Sequence, residues 1–167
     1  MRPFIYFLVG LGLVGAAIFG VVYTNQKSHV QLKGSILKVR SLPDGAGAIV
    51  FVDFRVTNTA AIPFVVASVN ISMETQDDEV AKAAPLSKSD VEKIAKAYKL
   101  LGPKYNDVLA VKDQVPAVET VDRMAAGRFN FPPKFLEGRK TLRLTIEEVD
   151  GVVSEIIEKS NEKSATP

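Results

Sequence analysis

The side chains that can do nucleophilic, acid–base or metal chemistry are few in this sequence. The 167-residue chain contains no cysteine and a single histidine, His29. The missing cysteine excludes thiolate nucleophiles, disulfides and Cys-ligated zinc or iron–sulfur sites. A catalytic imidazole needs a neighbouring group that orients it, and no carboxylate lies close to His29 in the sequence. We therefore expect His29 to be a solvated side chain.

Two groups of acidic residues also lack the spacing of a dedicated site. Residues 77–79 (DDE) can offer oxygens to Ca²⁺, but they are consecutive and do not alternate as the ligands of a calcium-binding loop do. Glu147 and Glu148 are adjacent in a predicted strand, so they point to opposite faces and cannot converge on one substrate atom. We predict no catalytic residue, no metal site, no cofactor and no enzymatic activity. An enzyme that relies on carboxylates alone is the alternative.

The most basic stretch, residues 82–104, carries six lysines against two acidic residues. Lys93, Lys96 and Lys99 lie on the outer face of a predicted helix. That face is either solvated or contacts anionic lipid headgroups or an acidic partner. The net charge of the whole chain is only +2, so we predict no nucleic-acid binding.

Residues 129–135 contain three phenylalanines around Pro132-Pro133. Phe129, Phe131 and Phe135 can form an exposed aromatic recognition site. Because Phe129 and Phe131 are two residues apart in a strand, they share a face, and we expect them in the core instead.

The elements that position these residues begin with an apolar run near the N-terminus. Residues 4–23 contain no charge and are long enough to cross a hydrocarbon core of about 30 Å as a helix. We predict a transmembrane anchor at residues 1–23 that contacts membrane lipid through residues 4–23. A cleaved signal peptide is the alternative, but the apolar core is long and the sequence after Gly20 is a poor cleavage site. Gly12, Ala16 and Gly20 recur every four residues and predict a helix-packing face, through which the chain can dimerise.

The rest of the chain is dominated by strand patterns. Strands are predicted at residues 30–40, 48–57, 62–74, 118–131, 139–149 and 152–157. The alternation in residues 48–57 predicts an antiparallel strand with only one face buried, the face of Val50, Val52, Phe54 and Val56. A short loop predicts that this strand forms a hairpin with residues 62–74. Asp150-Gly151 is a second hairpin signal, while Gly34 and Gly127 are interpreted as a strand break and a bulge.

One helix is predicted between the strands, at residues 89–101. Ser89 and Glu92 have the spacing of a capping box, and Gly102-Pro103 ends the helix. Its apolar face consists of Val91, Ile94, Ala95, Tyr98 and Leu101. The predicted organisation is therefore an anchor (1–23), a short stalk (24–29), a β-sandwich domain (30–158) with this inserted helix, and a disordered tail (159–167).

Two stretches carry a family resemblance: residues 54–59 (FRVTNT), and residues 119–121 (ETV) leading to residues 127–132 (GRFNFP). They resemble bacterial membrane-anchored immunoglobulin-like domains and are similar to the sandwich of the late-embryogenesis-abundant (water-stress) family. The resemblance implies an immunoglobulin-like antiparallel β-sandwich in an extracytoplasmic place, and it implies no catalytic residues. With the anchor, it predicts a single-pass protein of the bacterial inner membrane whose C-terminal domain is periplasmic.

These observations predict a binding or scaffold module that acts as an accessory subunit or interaction domain of an envelope or membrane complex. The alternative is a sandwich that binds a small ligand or lipid, with the inserted helix as a lid. A lid should leave an apolar cavity under Ile94 and Tyr98, whereas a structural helix should pack there without space.

Overall fold

The structure is a computed structural model that describes residues 2–25, 31–98, 104 and 106–158. Its elements, in chain order, are α1 (Arg2–Asn25), β1 (Lys33–Asp44), β2 (Gly47–Asn58), β3 (Phe64–Glu74), β4 (Val80–Lys82), β5 (Ala84–Pro85), α2 (Lys88–Ala97), β6 (Gln114–Val115), β7 (Glu119–Phe129), α3 (Pro133–Glu137), β8 (Thr141–Glu148) and β9 (Val153–Ile157). Residues 26–29, 99–101 and 159–167 lie outside the described residues. The predictions for His29, Lys99, Leu101, most of the stalk and the tail fall there.

The strands form two sheets that face each other. One sheet has the order β1-β2-β7-β5, and the other has the order β4-β3-β8-β9 with β6 paired to the start of β3. All pairings between these strands are antiparallel. The space between the sheets is filled by a cluster of buried side chains that includes Val52 and Phe54 of β2 and Leu144 and Ile146 of β8. The predicted antiparallel β-sandwich is confirmed.

The predicted transmembrane helix is wrong. Residues 2–25 are helical, but within the described residues no helix combines the length and the apolar character that a membrane crossing requires. Residues 4–9 and 22–23 of the predicted span lie outside the residues whose side chains are described. Gly12, Ala16 and Gly20 are exposed along α1, and the packing face assigned to them stays a prediction.

Strand β2 is buried on both faces, which corrects the expectation of a half-buried strand. It lies between β1 and β7, and Phe51 and Asp53, on the side away from the sandwich core, are only 2% and 3% exposed. Val91 of α2 and Val108 pack against Phe51 in a second apolar cluster on that side. The alternation in β2 could not show this cover, because Val91 and Val108 lie 40 and 57 positions after Phe51 in the chain.

The hairpin predicted between residues 48–57 and 62–74 does not form. β2 and β3 belong to different sheets, so residues 59–63 cross the sandwich. Asn58 organises this crossing: its side-chain nitrogen donates to the carbonyl oxygens of Ile62 (2.8 Å) and Val115 (3.1 Å), and its oxygen accepts from the backbone N–H of Ala60 (2.9 Å). A buried amide that satisfies three backbone groups fixes the chain in this turn. The hairpin at Asp150-Gly151 is confirmed as the β8–β9 connection, with Gly151 at φ +87°.

Two glycines have roles different from those predicted. Strand β1 runs through Gly34 without a break, and its register shifts between Ile36 and Lys38 instead. A Cβ at Gly34 would lie 2.5 Å from the carbonyl oxygen of Arg55, so glycine allows β1 to approach β2. The β2–β7 register is unbroken at Gly127, where a Cβ would lie 2.7 Å from the Cβ of Ala83.

The inserted helix begins earlier than predicted, at Lys88. Its N-cap is Ser87, whose hydroxyl oxygen accepts from the backbone N–H of Asp90 at 3.2 Å. The capping box of Ser89 and Glu92 is therefore wrong, because Ser89 lies inside the first turn. Of the predicted apolar face, Val91 is fully buried while Tyr98 is 47% exposed.

Candidate functional site

A groove at one end of the sandwich, which we call the acidic–aromatic groove, brings exposed acidic and aromatic side chains together. It lies between the β3–β4 turn and α3 and encloses about 380 Å³. Its lining consists of Met73, Thr75, Gln76, Asp77, Glu79, Val80, Ala81, Phe131, Lys134, Phe135 and Gly138. Two exposed apolar side chains stand in it, Val80 (66% exposed) and Phe135 (52% exposed).

The aromatic part of the groove extends from the core to the surface. Phe129, at the end of β7, is buried and stacks on Phe131 with 4.9 Å between ring centroids. Phe131 meets Phe135 edge to face at 5.9 Å. Pro132 precedes the short helix α3, whose Leu136 is buried in the sandwich core and fixes the helix there. Phe135 therefore projects from a rigid support.

The opposite wall of the groove is the β3–β4 turn, and it is tied to α3. Gln76 donates a hydrogen bond from Nε2 to the carbonyl oxygen of Gly138 at 2.6 Å. Lys140 forms an ion pair with Asp78. The ammonium group of Lys140 lowers the pKa of Asp78 through their hydrogen bond and charge attraction, and Asp78 raises the pKa of Lys140 in return. Both groups are exposed, so this pair orients the turn more than it stabilises the fold.

The two walls carry opposite charges. Asp77 and Glu79 line the turn side and are exposed, while Lys134 lines the α3 side. No three metal-ligating side chains converge anywhere in the described residues. An exposed aromatic ring beside fixed charges has the chemistry of a recognition surface rather than of an acid–base pair.

Sequence analysis identified the parts of this groove separately but missed the groove itself. Residues 77–79, which lack the spacing of a calcium-binding loop, are exposed in the β3–β4 turn. Phe129 is in the core as expected, and Phe131 is partly buried against it. The aromatic residues lie some 50 positions from the acidic turn, and no local pattern indicates that they meet.

The predicted contact residues on the inserted helix lie elsewhere. Lys93 and Lys96 are exposed on α2, and Lys93 has only a long ion pair of 4.0 Å to Asp90. Val91 of α2 is fully buried. Farther along the helix, an open depression of about 380 Å³ lies beside Ile94 and Tyr98. Space is therefore present where a lid should leave it, but charged side chains such as Asp90, Lys93 and Arg128 share its lining with the apolar ones.

A second cavity lies at the side of the sandwich, next to the start of α2. It has a volume of about 400 Å³. It lies along the edge of β7 that faces away from β2. At one end of this edge β7 pairs with β5, and farther along it bonds to the backbone of residues 107–109. Its lining is mostly apolar: Val69, Pro85, Leu86, Val108, Leu109, Ala110, Val111, Ala125 and Ala126, with Ser87 and Lys88.

A buried ion pair under the second apolar cluster is structural. Arg40 donates to Asp53 at 2.8 Å, and their side chains are 11% and 4% exposed. Asn106 donates to the other carboxylate oxygen at 3.1 Å, and the guanidinium of Arg40 lies 6.0 Å from the ring centre of Phe51. This group joins β1, β2 and the segment beside β7 within the fold.

Comparison with known proteins gives two similar solved structures and no functional information. No family model matches the chain, and no curated protein matches it. A protein from Archaeoglobus fulgidus is 14% identical, with 75% of this chain and 94% of that chain covered and a TM-score of 0.39. A target of the Northeast Structural Genomics Consortium is 7% identical, with 83% and 91% covered and a TM-score of 0.35. Likeness at this level carries no argument, and the family resemblance of residues 54–59 and 119–132 stays a prediction.

Proposed function

We propose that this protein is a non-catalytic binding module that holds a protein partner in the acidic–aromatic groove. The observation that supports this proposal is Phe135, which stands half exposed in the groove on a support fixed by buried Leu136. Large aromatic side chains held rigidly beside a depression are typical centres of protein–protein binding energy. Charged residues around them supply the polar rim that sets orientation.

Both walls of the groove are held in place before any partner binds. The hydrogen bond from Gln76 to Gly138 and the ion pair of Lys140 with Asp78 connect the turn to α3. A surface fixed in this way loses little conformational entropy on binding, which favours affinity.

Site-specific photocrosslinking in the cells that make the protein tests the proposal. p-Benzoylphenylalanine replaces Phe135 in the groove or, as the matched control, Val118. Val118 is 75% exposed and precedes β7, at the end of the strand opposite to Phe129. We expect a discrete protein adduct from position 135 and none from position 118. The adduct should disappear when Val80→Arg places a long side chain and a positive charge among the groove residues. No adduct from position 135, or the same adduct from both positions, contradicts the proposal.

A second candidate function is the binding of a small apolar ligand or lipid, and the side cavity favours it. Eight of its lining residues are aliphatic or proline, with Ala110 at its rim. The start of α2, at Ser87 and Lys88, forms one border, so this end of the inserted helix can act as the lid.

Binding of the fluorescent probe N-phenyl-1-naphthylamine tests this second function. We expect saturable fluorescence enhancement that is lost in Ala110→Phe, because the ring fills the cavity, and retained in Ala46→Phe, which adds the same ring to the exposed β1–β2 turn. Enhancement that is absent, or equal in both variants, contradicts a ligand cavity.

A further inference from the structure

We infer that the acidic–aromatic groove receives an arginine side chain of the partner protein. This inference rests on the proposed function and adds the chemistry of the occupant. It is carried by the charges and the apolar surface that the fold places together in one groove.

The charge of the groove is negative on balance. Asp77 and Glu79 line it together with one lysine, Lys134. The positive charge of Lys140 is already engaged by Asp78. Such a surface attracts a cationic group and repels an anionic one.

The apolar surface selects among cations. Phe135 offers an exposed ring and Val80 an exposed aliphatic side chain within the same groove. A planar guanidinium stacks on an aromatic ring and at the same time donates hydrogen bonds to carboxylates. Its aliphatic stem can cover apolar surface such as that of Val80. A small hydrated metal cation would use only the carboxylates and would leave both apolar side chains exposed.

The size of the groove fits one side chain with its neighbouring backbone. Its volume of about 380 Å³ is at the lower end of the range for ligand sites, which is about 300–1,000 Å³. The hydrogen bond from Gln76 to Gly138 closes the groove between the turn and α3. The occupant therefore enters from the solvent side, where Asp77, Glu79 and Phe135 are exposed.

Chemical-shift mapping on the isotopically labelled full-length protein tests the inference with three probes of the same chain length. Butylguanidinium represents the arginine side chain, butyrate reverses the charge, and 1-butanol removes it. We expect saturable shifts at the amides of residues 77–81 and 134–138 with butylguanidinium, and at least threefold weaker binding of the other two probes.

Matched variants identify the groups responsible. Asp77→Asn with Glu79→Gln removes two groove carboxylates, and Glu119→Gln with Glu155→Gln removes two exposed carboxylates on β7 and β9. The two double variants have equal net charge. Since each exposed pair contributes little, loss of both carboxylates should weaken butylguanidinium binding by about twofold to thirtyfold, and the control variant should leave it unchanged.

The outcomes separate this inference from the proposed function. If butylguanidinium binds no better than 1-butanol or butyrate, or if both double variants weaken it equally, the arginine inference is overturned. The protein adduct at position 135 then still stands or falls by its own experiment. If butylguanidinium binds as expected but position 135 gives no adduct, the proposed function fails while the cation preference of the groove is retained.

Discussion

The buried ion pair of Arg40 and Asp53 allows the sharpest test of how the fold is held together. Asp53→Ala removes a carboxylate that accepts from Arg40 at 2.8 Å and from Asn106 at 3.1 Å. The guanidinium that remains is only 11% exposed, so water cannot fully replace the lost partner. Removing one member of a buried pair typically costs about 3–5 kcal/mol.

An exposed pair on the same sheet provides the control. Arg55 and Asp122 also bridge neighbouring strands, at 2.7 Å, but their side chains are 54% and 36% exposed. Asp122→Ala should therefore lower the free energy of unfolding by no more than about 1 kcal/mol. For a domain of this size, 1 kcal/mol changes the melting temperature by about 4 °C. Thermal denaturation followed by circular dichroism should therefore show a melting temperature lowered by about 12–20 °C in Asp53→Ala and by about 4 °C or less in Asp122→Ala.

A double variant tests the physical reason directly. Arg40→Met in the Asp53→Ala background removes the buried charge that has lost the carboxylate of Asp53, so the double variant should be more stable than Asp53→Ala alone. Equal losses for Asp53→Ala and Asp122→Ala, or no recovery in the double variant, would refute the assignment of the first pair as buried and structurally important.

Three further predictions follow from other contacts. Ser87→Ala should lower the free energy of unfolding, measured by urea denaturation, by about 1 kcal/mol because it removes the N-cap of α2. Ser89→Ala should lower it less. A larger loss in Ser89→Ala than in Ser87→Ala would support the capping box instead. Gly34→Ala should be strongly destabilising in the same assay, since its Cβ would lie 2.5 Å from a β2 carbonyl oxygen, and a change within about 0.5 kcal/mol would contradict the close approach of the strands. Lys140 lowers the pKa of Asp78 in the folded state, so the pair stabilises the fold above the unfolded pKa of the carboxyl, and this contribution is lost as pH falls through the folded pKa. An NMR titration should show that the folded-state pKa of Asp78 is higher in Lys140→Gln than in the original protein. An unchanged pKa would exclude the ion pair.

Local patterns in the sequence were sufficient wherever a structural signal lies within a few residues. The alternation of Val50, Val52 and Phe54 predicted a strand with that face in the core, as β2 shows. Asp150-Gly151 predicted the β8–β9 turn because a glycine there accepts the positive φ that the turn needs. The antiparallel sandwich followed from the number of such strands and the turns between them.

Patterns that depend on distant residues were not sufficient. Simple alternation puts Val66 and Ile71 on opposite faces of β3, but the register shifts between Val66 and Ser68, and both residues lie in the core. A single inserted residue reverses every later side chain, and no feature of residues 62–74 marks it. The predicted transmembrane helix had the required apolar run, but the described residues contain no helix that qualifies as a membrane span.

By itself, the sequence determined that cysteine chemistry is absent, that strands dominate and that an amphipathic helix lies near residue 90, because these properties depend on composition and short-range periodicity. Only the tertiary structure decided that the acidic turn at residues 77–79 and the phenylalanines at 131 and 135 share one groove. The physical reason is that sheet pairing and the docking of α3 bring together segments about 50 residues apart. Contacts at that separation leave no period in the chain from which they can be predicted.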